Sequence, residues 1–221
     1  MTEAPDEVRH GMAALLQGRR EALEGGATAV GWKIGFNAPA IQAHFGITSP
    51  VVGFMTDATV FPVGVPVPIA RWTAPALEVE VAIRVGPDGT VASLAPAFEL
   101  VDLNLGFEAL EPILAGNIFH RGVIFGPESE GIDVSTLAVE VTAAAATATA
   151  GRGDVVASGS LSEEPERTVE VVRQFLEVHG ATLEPGHRII AGSLIAPLSV
   201  KPGDQFDVTF GPLGQLSVAF T

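Results

Sequence analysis

The sequence predicts an α+β fold in which β-strands dominate and a short helical arm precedes them. Runs rich in Val, Ile, Phe and Thr recur along the chain and are bounded by turn residues. The 25 glycines and 16 prolines are dispersed as single turn signals and form no linker. With 221 residues and no visible boundary, the chain is expected to form one domain over residues 1–221, with residues 1–26 as the arm.

The first elements follow from local patterns. Residues 5–24 are expected to form a helix that ends at Gly25 and Gly26. Its apolar positions lie near helical spacing: Val8, Met12, Leu15, Leu16 and Leu23. The segment TAVGWKIGF at 28–36 predicts a strand, and residues 39–45 predict a short helix.

The rest of the chain is predicted to be mainly strands. The candidate strands are 51–61, 77–85, 97–104, 121–126, 135–148, 153–160, 187–192, 205–210 and 215–220. Helices are expected at 107–115 and 163–179. In the second helix, Val172, Phe175, Leu176 and His179 follow i, i+3, i+4, i+7 spacing. Ser162 is its expected cap, and Gly180 its expected end.

Composition excludes several classes of function. The absence of cysteine excludes disulfides, thiolate zinc sites and a cysteine nucleophile, and the absence of tyrosine excludes a phenolic acid or base. A formal charge of −14 argues against nucleic acid as a partner. Residues 1–10 are polar and acidic, and no apolar run approaches the roughly 20 residues of a membrane span. We therefore expect no membrane partner and a cytoplasmic location.

Two acidic residues in one strand are the first candidate site. Glu78 and Glu80 are two residues apart, so in a strand both carboxylates project from the same face, about 6.6 Å apart along the chain. Neighbouring carboxylates repel, and a bound cation is the usual remedy. The alternative, which is the commoner one for an isolated pair, is the exposed polar face of an amphipathic strand.

Glu99 and Lys33 are charged residues in apolar surroundings. Glu99 lies in APAFELVDLNL, where burial is costly unless the carboxylate is paired or binds a metal. A solvent-exposed acid at a strand edge is the alternative. Strand alternation puts Trp32 on one face and Lys33 on the other, with small glycine neighbours beside the lysine. This arrangement suits a lysine facing a pocket, and equally a lysine that extends to solvent from a strand end.

Four further residues are weaker candidates. Asp57 lies in a stretch of apolar and small residues, and His120 with Arg121 precedes a predicted strand. Either position suits an anionic substrate, although a surface His-Arg pair is the commoner arrangement. Ser193, between small residues, is placed to offer a hydroxyl and a backbone N–H to a carboxylate.

Together these segments resemble the 2-keto-4-pentenoate hydratase family of the fumarylacetoacetate hydrolase superfamily. The matching motifs occur in family order along most of the chain. They are GWKIGF at 31–36, PVVGFMTDATVF at 50–61, APALEVEVAIRV at 74–85, PAFELVD at 96–102 and IIAGSLIAPLSVKPGDQFDVTFGPLGQLSVAF at 189–220. Each motif alone is weak, and their order carries the resemblance.

The resemblance implies a mixed, β-rich fold of curled sheets around a pocket that holds Mg²⁺ or Mn²⁺. Glu78, Glu80 and Glu99 match the family's metal ligands. Lys33 matches its active-site lysine and Asp57 an acidic pocket residue, and both are candidates for proton transfer. Ser193 matches a loop that contacts the substrate carboxylate. A homo-oligomer is also implied.

The implied reaction is hydration of a 2-hydroxy-2,4-dienoate to a 4-hydroxy-2-oxo acid, as used in aromatic catabolism. The same scaffold supports decarboxylation of 2-oxo-dicarboxylates and hydrolysis of acylpyruvates, the latter with His44 or His120 as a candidate acid or base. A non-catalytic metal-binding module that forms oligomers is a further alternative.

Two segments depart from the family pattern. Residues 36–39 read Phe-Asn-Ala-Pro in place of a Thr-Ser pair, and GNIFHRGV replaces an Asp-Asn-Ala-Ser type sequence. The second change puts His120 and Arg121 beside the expected pocket as candidate substrate-binding residues. Arg121 is expected either to select another acid, such as a dicarboxylate, or to lie outside the pocket.

Overall fold

A computed structural model of the chain describes residues 6–144, 152–161 and 163–221. Within them the helices are α1 (Asp6–Glu24), α2 (Pro39–Phe45), α3 (Leu110–Ala115) and α4 (Pro165–Val178). The strands are β1 (Ala29–Gly35), β2 (Val51–Thr56), β3 (Pro75–Val85), β4 (Val91–Asp102), β5 (His120–Phe125), β6 (Ala138–Ala143), β7 (Val155–Ser160), β8 (Arg188–Ile190), β9 (Leu198–Ser199), β10 (Gln205–Thr209) and β11 (Gln215–Ala219). Strands thus dominate, which confirms the predicted α+β class.

The strands form two sheets within the described residues. The larger has seven strands in the order β2-β1-β8-β3-β4-β5, with β9 also paired to β3. Its pairs are antiparallel except for β1 with β8, so the sheet is mixed. The smaller sheet has the order β11-β10-β6-β7 and is antiparallel.

Both faces of the larger sheet are covered. Leu77, Val79 and Trp32 belong to the main hydrophobic core on one face, as strand alternation predicts. A second, smaller cluster covers part of the opposite face. Its buried members come from five strands and are Met55, Ala82, Ala95, Ala97, Val123 and Ile190. Polar residues that share this face are therefore not simply exposed to solvent.

The helical arm packs on the rest of the protein through a glycine. Gly11 of α1 lies so close to α3 that a Cβ atom would stand 2.6 Å from Leu114 Cβ. Farther along α1, the Arg19 guanidinium lies 4.8 Å from the centre of the Trp32 ring. None of the described helices combines the length and the apolarity needed to cross a membrane.

Some element bounds differ from the predictions. The helix predicted at 107–115 begins only at Leu110, and the strand predicted at 51–61 ends at Thr56, where a 3₁₀ turn over Asp57–Thr59 begins. Gly180 ends α4 with φ of 71°, as expected. The predicted cap Ser162 and part of the predicted strand 135–148 lie outside the described residues.

The two outer strands of the larger sheet have their free edges contacted by other segments. The Asn117 amide accepts from Phe54 N at 2.9 Å and donates to Phe54 O at 2.9 Å, on β2. On β5, Val123 forms a bridge with Val60, and Phe61 N donates to Val123 O at 2.9 Å.

Candidate active site

Three glutamates meet on the side of the larger sheet that carries the smaller cluster. In the β3–β4 pair, Glu78 lies directly opposite Glu99, and Glu80 is two residues farther along β3. One carboxylate oxygen from each of the three lies within 4.8 Å of the others. Glu80 and Glu99 have no exposed surface, and Glu78 is half-buried. The alternative of solvent-exposed acids is therefore wrong for Glu80 and Glu99.

Each fully buried glutamate uses one oxygen within the protein and leaves the other without a partner. Glu80 Oε2 accepts from Gly192 N at 2.8 Å, while its Oε1 has no hydrogen bond. Glu99 Oε1 accepts from Lys33 Nζ at 2.5 Å and contacts His120 Nδ1 at 2.8 Å, while its Oε2 has none. Buried oxygens without partners are costly, and a cation that binds oxygen removes that cost. The residues present thus fit a hard divalent ion.

Lys33 reaches Glu99 from β1, where Gly53 of β2 makes room for its stem. A Cβ atom on Gly53 would stand 2.9 Å from Lys33 Cγ. The lysine is 2 % exposed, and its Nζ also donates to Ile118 O at 2.9 Å. Of the two alternatives for Lys33, the structure shows the one in which the lysine is buried and lines a cavity.

Burial and mutual repulsion shape the ionisation of the three carboxyls. Burial, with the nearby charge of Glu99, raises the pKa of Glu78 to about 7. Burial and both neighbouring carboxylates raise the pKa of Glu80 well above its ordinary value. Burial also opposes ionisation of Glu99, but the charge of Lys33 and the hydrogen bond with His120 outweigh it and lower the pKa of Glu99. Without a cation and below about pH 7, the site favours one charged and two protonated carboxyls.

These shifts predict a pH-dependent stability for the metal-free protein. Because the pKa values of Glu78 and Glu80 are raised in the folded state, that state binds more protons than the unfolded chain between about pH 5 and pH 8. The free energy of unfolding is expected to fall as the pH rises through this window, by on the order of 2 kcal/mol from Glu78 alone. Thermal unfolding at a series of pH values in EDTA measures this fall in stability. Saturating Mg²⁺ should abolish the pH dependence. A flat profile in EDTA would contradict the raised pKa values of both groups.

His120 lies behind Glu99 and is buried. Its Nδ1 contacts Glu99 Oε1, and its Nε2 lies 3.1 Å from Thr59 Oγ1. Burial lowers the pKa of His120, and Glu99 opposes that effect. The expectation of a surface His-Arg pair is therefore wrong for His120. Arg121 instead donates to the His120 carbonyl at 2.8 Å, and neither side chain is among those that line the cavity.

The structure does not bring Asp57 to this group. Its carboxylate is exposed, accepts from Thr28 N at 2.8 Å and has a pKa lowered by that backbone hydrogen bond. The predicted strand would have continued through Asp57, but the 3₁₀ turn that begins there gives it this different contact. Asp57 is not among the residues that line the cavity, which contradicts its expected place in the pocket.

A cavity of about 610 Å³ opens beside the glutamates. Its polar lining includes Lys33, Glu78 and Ser193, and the Ser193 hydroxyl is buried without a partner. Much of the remaining lining is apolar. The predicted lysine, glutamate and serine therefore share one cavity, which is the arrangement expected of a site that binds an organic acid beside a cation.

A left-handed turn that sequence reasoning missed supports the site. Asn117, Ile118 and Phe119 have φ values of 58°, 53° and 64°, which non-glycine residues rarely adopt. Each such residue costs on the order of 1–3 kcal/mol unless its surroundings fix it. Here the turn aims the Ile118 carbonyl at Lys33 and leads directly into His120. The only signal in the sequence was Asn117 after a glycine, because asparagine tolerates this conformation better than most residues.

Comparison with characterised proteins finds relatives over most of the chain. A 4-oxalocrotonate decarboxylase of Pseudomonas putida is 28% identical over 220 residues, covering 91% of this chain and 81% of the relative. A 2-oxo-hept-4-ene-1,7-dioate hydratase of Escherichia coli is 28% identical, with 88% and 80% covered. A 2-keto-4-pentenoate hydratase of Dechloromonas aromatica (strain RCB) is 27% identical, with 91% and 81% covered. No family model matches the chain.

Solved structures share the fold. The 4-oxalocrotonate decarboxylase from Pseudomonas putida G7, complexed with magnesium and adipate, superposes with a TM-score of 0.83 at 23% identity, covering 96% of this chain and 85% of the other. Fumarylpyruvate hydrolase from Pseudomonas aeruginosa, in complex with Mn²⁺ and pyruvate, gives a TM-score of 0.62 at 15% identity, with 86% and 88% covered. At these identities the structural matches establish the common fold.

Proposed function

Since the chain belongs to the 2-keto-4-pentenoate hydratase family of the fumarylacetoacetate hydrolase superfamily, we propose that it is a metal-dependent lyase that hydrates a 2-hydroxy-2,4-dienoate. The product is a 4-hydroxy-2-oxo acid. The observation that carries the proposal is the pair of buried carboxylate oxygens without partners, Glu80 Oε1 and Glu99 Oε2, beside a cavity lined by Lys33 and Ser193.

Glu78, Glu80 and Glu99 are the proposed ligands of Mg²⁺ or Mn²⁺. All-oxygen ligation by carboxylates suits these hard cations. Solved relatives are complexed with magnesium or with Mn²⁺, in agreement with this choice. A bound ion would supply Lewis acidity that stabilises negative charge on the C2 oxygen of the substrate.

The chain's own residues supply binding and proton transfer. Tautomerisation moves the proton of the C2 hydroxyl to C5, and water then adds across C3=C4, with its hydroxyl at C4 and a proton at C3. Lys33 lines the cavity and its Nζ is fixed by Glu99 and the Ile118 carbonyl, so this lysine is our candidate to hold and move these protons. Ser193 is proposed to donate its hydroxyl to the substrate carboxylate. We assign Asp57 no catalytic part, because it is exposed and outside the lining.

A decarboxylase is the second candidate, since three relatives carry that activity in their names. It would use the same glutamates and lysine but release CO₂ from a 2-oxo-dicarboxylate and add no water. An acylpyruvate hydrolase is less well supported. Neither His44 nor His120 lines the cavity, since His44 Nε2 contacts the Phe107 carbonyl at 2.7 Å and His120 contacts Glu99.

The first test is calorimetry with Mg²⁺ or Mn²⁺, with and without oxalate, which mimics the chelating end of a 2-oxo acid. Because the glutamates leave ligand positions for a bidentate acid, oxalate is expected to bind only with the metal, and metal affinity should rise in its presence. A turnover screen of dienoates, oxo-diacids and acylpyruvates then separates the activities. Absence of metal-dependent oxalate binding would overturn every activity considered above and favour a non-catalytic module.

We also propose that the protein acts as a homo-oligomer. Several large apolar side chains are exposed among the described residues, including Val63, Val65, Val155 and Val178. Burying such side chains against a second copy would remove their apolar surface from water. Analytical ultracentrifugation measures the state directly, and a monomer at micromolar concentration would contradict this proposal.

A further inference from the structure

The cavity lining contains an aromatic cluster that reaches its mouth. Phe107 lies 6.3 Å from Phe36 and 5.3 Å from Phe119, measured between ring centroids. All three line the cavity, together with Ile41 and Leu103. Phe107 is 38% exposed, whereas Phe119 and Lys33 are only 3% and 2% exposed, so Phe107 lies nearest the mouth of the cavity among these three side chains. An acid held at the glutamates would extend its carbon chain toward these apolar side chains.

The cationic side chains near the cavity are already engaged. Lys33 is bonded to Glu99 and to the Ile118 carbonyl. The Arg121 guanidinium donates to the His120 carbonyl, and His44 contacts the Phe107 carbonyl. Among the described lining residues there is no arginine or histidine. The residues outside the described ranges, 1–5, 145–151 and 162, carry no Lys, Arg or His in the sequence.

A second carboxylate in this cavity would therefore lack a cationic partner from this chain. The other polar lining side chains, Asn37 and Ser158, are uncharged. A carboxylate taken from water into apolar surroundings without a counter-charge is strongly disfavoured. An apolar chain in the same place gains from the removal of its surface from water.

We infer that the substrate is a monocarboxylic 2-hydroxy-dienoic acid whose chain continues as an apolar tail, and not a dicarboxylic acid. The inference rests on the proposed function, because it takes the glutamates as the end that binds the 2-oxo acid. The cavity volume of about 610 Å³ supports it, since pockets of this size hold ligands larger than a five-carbon acid.

The test compares stable 2-oxo acids with Mg²⁺-loaded protein by calorimetry. 2-Oxobutanoate, 2-oxohexanoate and 2-oxooctanoate are expected to bind progressively more tightly, by about fourfold for each buried methylene. 2-Oxohexanedioate has the same number of carbons as 2-oxohexanoate and differs by its terminal carboxylate. It is expected to bind at least about tenfold more weakly than 2-oxohexanoate.

A charge introduced at the mouth should reverse this preference. Phe107→Arg is expected to strengthen binding of 2-oxohexanedioate relative to 2-oxohexanoate by roughly tenfold, because it provides a charged hydrogen-bond donor. Phe107→Leu is the matched control, which removes the aromatic ring but adds no charge. Ile41→Arg, on α2, is a second variant in case Phe107→Arg does not fold, and circular dichroism checks all three.

The outcomes separate this inference from the proposed function. Failure of both oxalate and the oxo acids to bind with Mg²⁺ would defeat the proposed function. The inference alone would be overturned if oxalate bound but affinity did not rise with the length of the 2-oxo acid. Equal affinity for 2-oxohexanedioate and 2-oxohexanoate would overturn it too. Faster release of CO₂ from an oxo-diacid than hydration of a dienoic monoacid would overturn it as well.

Discussion

Replacing Glu80 with Gln is expected to abolish turnover and to weaken Mg²⁺ binding by at least about 100-fold. Glu80 offers one carboxylate oxygen to the three-glutamate group, its Oε1 has no partner within the protein, and an amide in its place brings no negative charge. The hydrogen bond from Gly192 N is retained, because the Gln carbonyl accepts it as well. Calorimetry and turnover measure both effects.

The same variant is expected to be more heat-stable than the parent protein when no metal is present. Glu80 is fully buried, and its pKa is raised well above the ordinary value by burial and by its carboxylate neighbours. Glu80 must therefore take up a proton on folding at neutral pH, whereas Gln is neutral in both states and avoids that free-energy cost. Glu140→Gln, at an exposed strand position, is the control. It should change neither the affinity for Mg²⁺ nor the thermal stability. An active Glu80→Gln variant would show that the metal site is elsewhere.

Replacing Lys33 with Met is expected to lower turnover by roughly 10²- to 10⁴-fold, the usual loss for a group that transfers protons. It should also destabilise the metal-free protein by about 3–5 kcal/mol, because Glu99 is left buried without its ammonium partner. Methionine fills a similar volume, so the change is mainly one of charge. Thermal unfolding and steady-state turnover measure the two losses.

Added Mg²⁺ separates the structural role of Lys33 from its proposed role in catalysis. The cation offsets the unpaired Glu99, so Mg²⁺ should restore much of the stability of Lys33→Met. Turnover should stay low in the same sample. The chain's other lysine, Lys201, is exposed, and Lys201→Met is the control. Full turnover by folded, Mg²⁺-saturated Lys33→Met would contradict the proposed role.

Strand alternation predicted part of the site. It placed Glu78 with Glu80 on one face of β3 and Leu77 with Val79 on the other, and the structure confirms both. Burial of the acids was not predictable in this way. It depends on a second apolar cluster whose members come from five separate strands, and local periodicity does not show which segments meet.

Long-range contacts set the rest of the site. Lys33 and Glu99 are 66 residues apart in sequence, and their pairing was not derivable from either local pattern. The position of His120 depends on three consecutive left-handed residues, a conformation that two of them, Ile118 and Phe119, do not favour. Asp57 was misplaced for a local reason, since a 3₁₀ turn interrupts a run whose composition is typical of a strand.

The contacts at the two outer strands of the larger sheet have a consequence for association. An outer strand with free N–H and C=O groups invites strand addition by another chain, and thereby aggregation. Here the Asn117 side chain forms hydrogen bonds with both the N–H and the C=O of Phe54 on β2. The segment at Val60 and Phe61 pairs with Val123 on β5. These positions are thereby closed to a foreign strand. The sheet that carries the site should therefore not be extended through these positions from one copy of the protein to the next.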